Sequence, residues 1–333
     1  MNDLQFQLQS QLAELAESGS RDSRRLFHGR GGCYWGLEQL SVDFFWPVLL
    51  ITFYKPTAAE ISEQQLITSI LQIMTALPLP QPLQAACVQR RYLPDAPIEI
   101  VRGELPVELL ARRGAQKFIL RLKGNQNSGF FLDMEPGRCW LEAIAVGKRI
   151  LNLFSYTCAF SVVAAAAGAA QVVNVDMSRA ALERGRQNHR LNGIPTDAVQ
   201  FLGLNILKSW GRIRRAGPFD IAVIDPPSFQ PGSFVAARDY HKLLRRVPEF
   251  MRPGGELLLC LNAPELGPDF LLRLVQQHCP ACELVERLPA ALDFPDADPQ
   301  RELKLLHFRY RGRHPFVNGR TASADETAPA GAA

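Results

Sequence analysis

The sequence predicts an α/β protein: a doubly wound, mostly parallel seven-stranded sheet joined to a small N-terminal α+β domain. Three observations predict it. From about Arg149 onward, short apolar strands alternate with helix-length segments, the pattern of parallel βαβ units with right-handed crossovers. Before Lys123, glycine-rich turns and β-prone runs surround one amphipathic helix. The 333 residues, 47% of them hydrophobic, suffice for about two domains, each with its own core.

Residues 1–20 alternate Leu with Gln and Glu and read as a frayed amphipathic helix of weak order, within a flexible segment expected over 1–23. The domain at 24–123 opens on Gly29, Gly31, Gly32 and Gly36 and continues through β-prone 44–46 and 48–54. A helix over 61–76 follows, with Leu66, Ile67, Ile70 and Leu71 on its apolar side and Pro78 and Pro80 to stop it. Segments 86–90 and 117–122 complete the unit. In the second domain, 124–312, strands are expected at 150–154, 171–175, 199–202, 221–224 and 256–261. Helices are expected up to Ala167 and over 178–191, 206–214 and 236–250. No full-length helix separates 283–287 from 303–310, so these predict a closing antiparallel hairpin. Residues 313–333 lack the apolar groups that offset ordering entropy and read as a disordered tail.

The longest apolar stretch, 159–173, is broken by Ser161, Gly168 and Gln171, short of the roughly 18 residues of a membrane helix. The N-terminus has acidic residues and no apolar core, unlike a signal peptide. Seven cysteines without regular spacing read as reduced thiols of a cytoplasmic protein. Cys279 and Cys282 form a C-x-x-C that follows a helix and has no second pair, so no metal is expected. Of the 37 basic residues, 30 are Arg, which suits bidentate phosphate contact; a GC-rich coding bias produces the same excess. The Arg pairs at 24–25, 90–91, 112–113, 214–215 and 245–246 are candidate RNA phosphate contacts, alongside the alternative of solvated helix faces. The turn from His28 to Gly32 is either an anion-cradling nest or a plain glycine-rich turn.

Ligands of open α/β sheets sit beyond the carboxyl ends of the strands, where strand order reverses. That points to the loops after Phe154, Val175 and Ile224. The first, Ser155 to Ser161, is small and polar and lacks the glycines of a pyrophosphate loop. Asp176 stands 24 residues after Asn152, where a carboxylate accepts ribose hydroxyls, or simply caps the next helix. Asp225-Pro226-Pro227-Ser228-Phe229 holds neighbouring carbonyls outward, supplies an acceptor or general base in Asp225 and a stacking face in Phe229; the alternative is an ordinary rigid turn. Together these features fit a sulfonium methyl donor better than a nicotinamide.

The runs FLD at 131–133, LNLFSYTCAFSVVAAAAGA at 151–169, VDMS at 175–178, NHRLNG at 188–193 and FDIAVIDPPSF at 219–229 closely resemble the class I rRNA methyltransferases of the bacterial large subunit. The likeness is strongest to the domain that methylates guanine N7 in 23S rRNA and to its cytosine-C5 relatives, and it spans about 24–310. The resemblance implies a Rossmann-like fold, S-adenosylmethionine as cofactor and 23S rRNA as partner, with the small domain facing the RNA. It implies that Asp133, Phe154, Ser155, Tyr156 and Thr157 hold the methionine end, Asp176 and Met177 the ribose and adenine, and Asn205 the adenine edge. Asp225, Pro226, Pro227 and Phe229 would line the target-base pocket and orient the base, with Asp225 also beside the cofactor.

The chain departs from the family's pattern at four places. Cys158 fills a glycine position, Met134-Glu135 stands where x-Arg is usual, and Asn205 replaces Asp. Asn262 occupies the position of the cysteine that attacks cytosine, with Cys260 two residues earlier reading as a buried strand thiol. Direct in-line transfer to a base nitrogen is therefore expected. The alternatives are a protein or small-molecule acceptor, or a non-catalytic RNA-binding or ribosome-assembly factor.

Overall fold

The computed structural model describes residues 2–57, 61–76, 82–122, 127–230 and 234–312. Pro78, Pro80 and the expected tail at 313–333 lie outside these residues.

Strands β1 (Arg24–His28), β2 (Leu40–Phe45), β3 (Val48–Phe53), β4 (Ala85–Arg90) and β5 (Ile98–Gly103) form a five-stranded sheet in chain order, with only β3 and β4 parallel. Helix α1 (Asn2–Ser18) packs on one face beside α2 (Glu63–Ala76). The expected weak order over 1–20 is therefore corrected for 2–18: Leu4, Leu8, Leu12 and Leu15 fall on one helical stripe and are buried with Leu26, Phe44 and Ile51. The sheet's other face carries Phe45, Val48, Leu50 and Ala85, which pack with Val162 and Val163 of the second domain.

Hairpin β6 (Leu110–Arg113) and β7 (Gln116–Ile119) links the two sheets. Its outer edge is satisfied by side-chain amides: Asn192 Oδ1 and Asn188 Oδ1 accept the N–H groups of Lys117 (2.8 Å) and Ile119 (2.9 Å). These two asparagines are what the NHRLNG run contributes, a covered strand edge rather than a ligand site.

The larger sheet has the order β10-β9-β8-β11-β14-β16-β15. Its strands are β8 (Arg149–Leu153), β9 (Gln171–Asp176), β10 (Val199–Gly203), β11 (Phe219–Ile224), β14 (Met251–Leu261), β15 (Cys282–Arg287) and β16 (Lys304–Tyr310). Only β16 runs antiparallel to its neighbours, so the closing hairpin is present. Leu151, Leu153, Val173, Val175, Ala222 and Ile224 point to one layer, which holds α7 (Ala236–Leu244), α8 (Val247–Phe250) and α9 (Pro268–His278). Their odd-even partners Ile150, Val172, Ile221 and Val223 point to the other, which holds α3 (Glu135–Ile144) and α4 (Ala159–Ala166). The long helix expected at 236–250 is two, because Pro248 starts α8; the one expected at 206–214 is a short 3-10 turn followed by α6 (Trp210–Ala216).

Strand order reverses between β8 and β11, where Leu153 pairs with Ile224. Phe154 and Asp225 are therefore neighbours at the strand ends. The connection from β9 to β10 runs through α5 (Arg179–Leu191).

Candidate active site

The loop after β8 takes positive φ at alternate positions: Phe154 (58°), Tyr156 (46°) and Cys158 (62°). Left-handed backbone in non-glycine residues persists where surrounding contacts over-determine it. Here Ser155 N–H donates to Val175 O (3.2 Å), Cys158 N–H to Ser155 O (2.7 Å) and Thr157 Oγ1 to Gly129 O (2.6 Å). Asn188 Nδ2 closes the set by donating to Thr157 O (3.0 Å).

Asp176 locks this loop to the next helix. Its Oδ2 accepts the Tyr156 N–H and its Oδ1 the Ser178 N–H, both at 2.8 Å. Capping of α5 falls to Ser178, whose Oγ accepts the Ala181 N–H. A carboxylate has about four acceptor positions, so Asp176 can still accept two hydroxyls. Burial pushes its pKa up, against the opposing pull of the Ser178, Tyr156 and Met177 N–H groups.

Asp225 follows β11 directly. Burial, and the negative charge of Asp133 beyond it, push its pKa up to about 7, and no hydrogen bond opposes the shift. Asp133 is itself raised by burial, with Arg25 and Arg138 pulling it down. The turn that carries Asp133 is held by Arg138, 2% exposed, which donates to the carbonyls of Phe131 (2.8 Å) and Leu132 (3.4 Å) and lies over the Phe130 ring. After Asp225, Ser228 Oγ hydrogen-bonds the carbonyl of Asn262, tying the proline turn to the end of β14. Phe229, on the short β12 (Phe229–Gln230) beside β13 (Phe234–Val235), is 67% exposed and leaves its ring at the opening.

All these groups face one cavity of about 740 Å³. The residues that the resemblance assigns to the cofactor and the target base all line it: Asp133, Phe154, Ser155, Tyr156, Thr157, Asp176, Met177, Asn205, Asp225, Pro226, Pro227 and Phe229. The five-stranded sheet supplies the facing wall, including Arg25, Asp43, Thr52 and Tyr54. No glycine-rich phosphate cradle is present in the β8 loop; the donors and acceptors suit a ligand with hydroxyls and an amino-acid end.

The family of S-adenosylmethionine-dependent methyltransferases matches residues 24–309. The chain belongs to this family. Its members' cofactor, S-adenosylmethionine, fits the phosphate-free loop and the spare acceptor sites on Asp176. Among curated relatives, the Ribosomal RNA large subunit methyltransferase I of Aeromonas hydrophila is 36% identical over 165 residues, 48% of this chain and 42% of that one. The protein of the same name from Klebsiella pneumoniae strain 342 is 30% identical over 81% of this chain and 67% of its own length. In the Aeromonas match this chain thus spans less than half of its relative. A solved putative methyltransferase complexed with SAH superposes with a TM-score of 0.81 at 23% identity, covering 92% of this chain and 80% of the other, and shares the Rossmann-like fold.

The chain accommodates its departures from the family pattern locally. Cys158 adopts the left-handed conformation that a glycine would take most easily, and burial pushes its thiol up to about 12, so it is uncharged. Glu135 accepts from Arg113 Nε (2.6 Å) and Arg138 Nε (2.8 Å), joining β6 to α3 at the Asp133 turn. Cys260 is buried and does not line the cavity; Asn262 does. Cys279 and Cys282 are buried free thiols with sulfurs 3.2 Å apart. Among the described residues no helix is long and apolar enough to cross a membrane, and no cluster of three metal-ligating side chains occurs.

Several of the paired arginines are held by carboxylates. Arg24 pairs with Glu14, Arg25 with Asp43, Arg90 with Glu63 and Glu99, Arg113 with Glu135 and Glu142, and Arg246 with Glu249. The glycine turn at 28–32 is a packing device: a Cβ on Gly29 or Gly31 would stand 1.8 Å from the carbonyl oxygen of Leu37 or Pro295. Sequence reasoning also missed a buried chain linking β8 to α5. Asn152 Nδ2 donates to Asn174 Oδ1, Asn174 Nδ2 to Ser161 Oγ, and Ser161 Oγ meets His189 Nε2 at 3.0 Å. Polar residues at inward strand positions were its signal.

Proposed function

We propose that this methyltransferase transfers the methyl group of S-adenosylmethionine to a ring nitrogen of a base in large-subunit (23S) ribosomal RNA, in the cytoplasm. The observation that carries the acceptor chemistry is the end of β14: Asn262, not a thiol, lines the same cavity as Asp225, while Cys260 is buried in the strand. Burial raises the Cys260 thiol well above its ordinary range, with Asp225 and Asp133 adding to the shift. No thiolate there attacks a pyrimidine ring, so the acceptor must be a nucleophile already, as a ring nitrogen is.

When bound, the cofactor supplies an electrophilic methyl on a cationic sulfur. Asp133 and the loop Phe154, Ser155, Tyr156 and Thr157 hold its amino-acid end, Asp176 and Met177 its ribose and adenine, and Asn205 the adenine edge. Pro226 and Pro227 fix the backbone against which the base lies, and Phe229 stacks on it once it is drawn out of the RNA. Asp225 orients the base through an N–H and, when ionised, accepts its proton. Otherwise the protein contributes alignment and the exclusion of water by two facing domains. The relatives named for large-subunit ribosomal RNA support the substrate class.

Nucleoside mass spectrometry of 23S rRNA from strains with and without the gene tests this reading. We expect one N-methylated base to vanish with the gene. Loss of a 5-methylcytosine would overturn the nitrogen assignment, and unchanged rRNA would overturn the substrate and direct attention to protein acceptors.

A further inference from the structure

The five-stranded sheet presents a face that changes character along its strands. Cross-strand neighbours Phe45 and Val48 are apolar and pack on the larger domain. Further along come Asp43 beside Arg25, then Ser41 beside Thr52 and Gln89, and the same face ends at Tyr54 and Arg91. Asp43, Thr52 and Gln89 are buried, yet they line the cavity. A polar face toward the site is costly unless it meets polar groups there.

At its end, the Arg30 guanidinium lies 4.2 Å from the centre of the Tyr54 ring and that of Arg91 5.3 Å. Neither arginine pairs with a carboxylate among the described residues; the Arg91 guanidinium donates to Asn127 Oδ1 (2.7 Å), a neutral acceptor. Their neighbours contrast with them: Arg25 is bidentate to Asp43 and Arg90 is held by two glutamates. His28 stays neutral beside them, because burial, Arg25 and Arg30 push its pKa down to about 3. The local potential is positive enough to hold the Tyr54 phenol below its ordinary pKa, although burial alone would raise it.

We propose that Arg30 and Arg91, stacked on Tyr54 at the cavity wall opposite Phe229, form the subsite for the phosphodiester flanking the acceptor nucleotide. Two guanidiniums on one ring repel each other, and a monoanionic phosphate between them relieves that repulsion while each supplies several N–H donors. Tyr54 keeps the pair in place through both ring contacts. The subsite rests on the RNA reading above and gives the small domain a defined task, gripping the backbone while the larger domain holds the base.

The test titrates a fluorescein-labelled single-stranded RNA of mixed sequence with the full-length protein at several potassium chloride concentrations. The variants are the double Arg30→Gln/Arg91→Gln and the double Arg30→Lys/Arg91→Lys. Each phosphate contact on a single strand contributes about 0.7 to the slope of log affinity against log salt, so the Gln pair, which loses one phosphate, should flatten the slope by about 0.7. The Lys pair, which keeps the charge, should restore most of it. S-adenosylmethionine affinity, read by calorimetry, should be the same in all three proteins. An unchanged slope in the Gln pair overturns the subsite alone. A parallel loss of S-adenosylmethionine affinity also overturns it, placing these arginines on the cofactor. Wild-type protein without salt-dependent RNA binding overturns the RNA reading and the subsite with it.

Discussion

Gly185 makes room for Cys158: a Cβ built on Gly185 would stand 2.4 Å from Cys158 Sγ. The Cys158 side chain sits at the left-handed end of the loop after β8, and α5 supplies the space for it. The two positions are therefore one packing unit, although 27 residues separate them.

Gly185→Ala should overpack this contact and destabilise the protein by about 1–3 kcal/mol. Cys158→Gly alone should change stability by less, about 1 kcal/mol, since it relieves the positive φ while leaving a small gap. Combined, the two substitutions should recover most of the loss. Urea unfolding of the four proteins measures the coupling, and strict additivity would refute the unit.

Asp176→Ala removes the carboxylate that holds the Tyr156 and Ser178 N–H groups and, in the proposed site, the ribose. S-adenosylmethionine affinity should fall about 100-fold, roughly the 2.7 kcal/mol of one or two charge-assisted hydrogen bonds. Asp176→Asn should fall between the two. Calorimetry reads both, and an alanine variant with wild-type affinity would remove Asp176 from the cofactor site.

Asp225 gives activity and stability opposite pH dependences. As the proposed base it works only when ionised, so turnover should rise as pH passes through about 7. Its folded pKa lies above the ordinary value of 3.8, so its contribution to stability is full below that value and is lost as pH rises through about 7. Asp225→Asn should cost about 10²–10⁴ in turnover and flatten the rate profile. At pH 8 it should also be more stable than the wild type, by about 1–3 kcal/mol. A variant that keeps the wild-type rate profile would remove Asp225 as the titrating group.

Phe229 is largely exposed, so Phe229→Ala should leave the melting temperature within about 1 °C, as expected of a surface substitution. Its effect should appear on RNA. Loss of one base stack, about 1–3 kcal/mol, should raise the KM for RNA roughly ten-fold or more, without changing S-adenosylmethionine affinity. An unaffected KM would place the base elsewhere.

The strands around the site were legible because each is an apolar run closed by polar residues: 150–154, 171–175 and 221–224 match β8, β9 and β11 within two residues. The loops after them were legible for the same reason, since strand order decides where ligands sit. Helix α3 was not: Pro136 and Gly137, both poor formers of a helix interior, stand in its first turn. In the structure Pro136 occupies the first helical turn, where no N–H is needed, and Gly137 packs against Phe160 and Leu258. Helix α1 read as frayed because only tertiary contact distinguishes a buried leucine stripe from a weak amphipathic one. Asp43, Thr52 and Tyr54 were invisible as cavity residues because the strand ends they face across the cavity, at Phe154, Asp176 and Asp225, lie about 100 residues or more away along the chain.

The central claim, a methyltransferase acting on RNA through Asp225, meets its most direct test in transfer of labelled methyl from S-adenosylmethionine to total RNA from a strain lacking the gene. Wild-type protein should label that RNA, leave RNA from the parent strain unlabelled, and lose the activity with Asp225→Ala. Label entering neither RNA, or entering equally with the Asp225→Ala variant, would contradict the account.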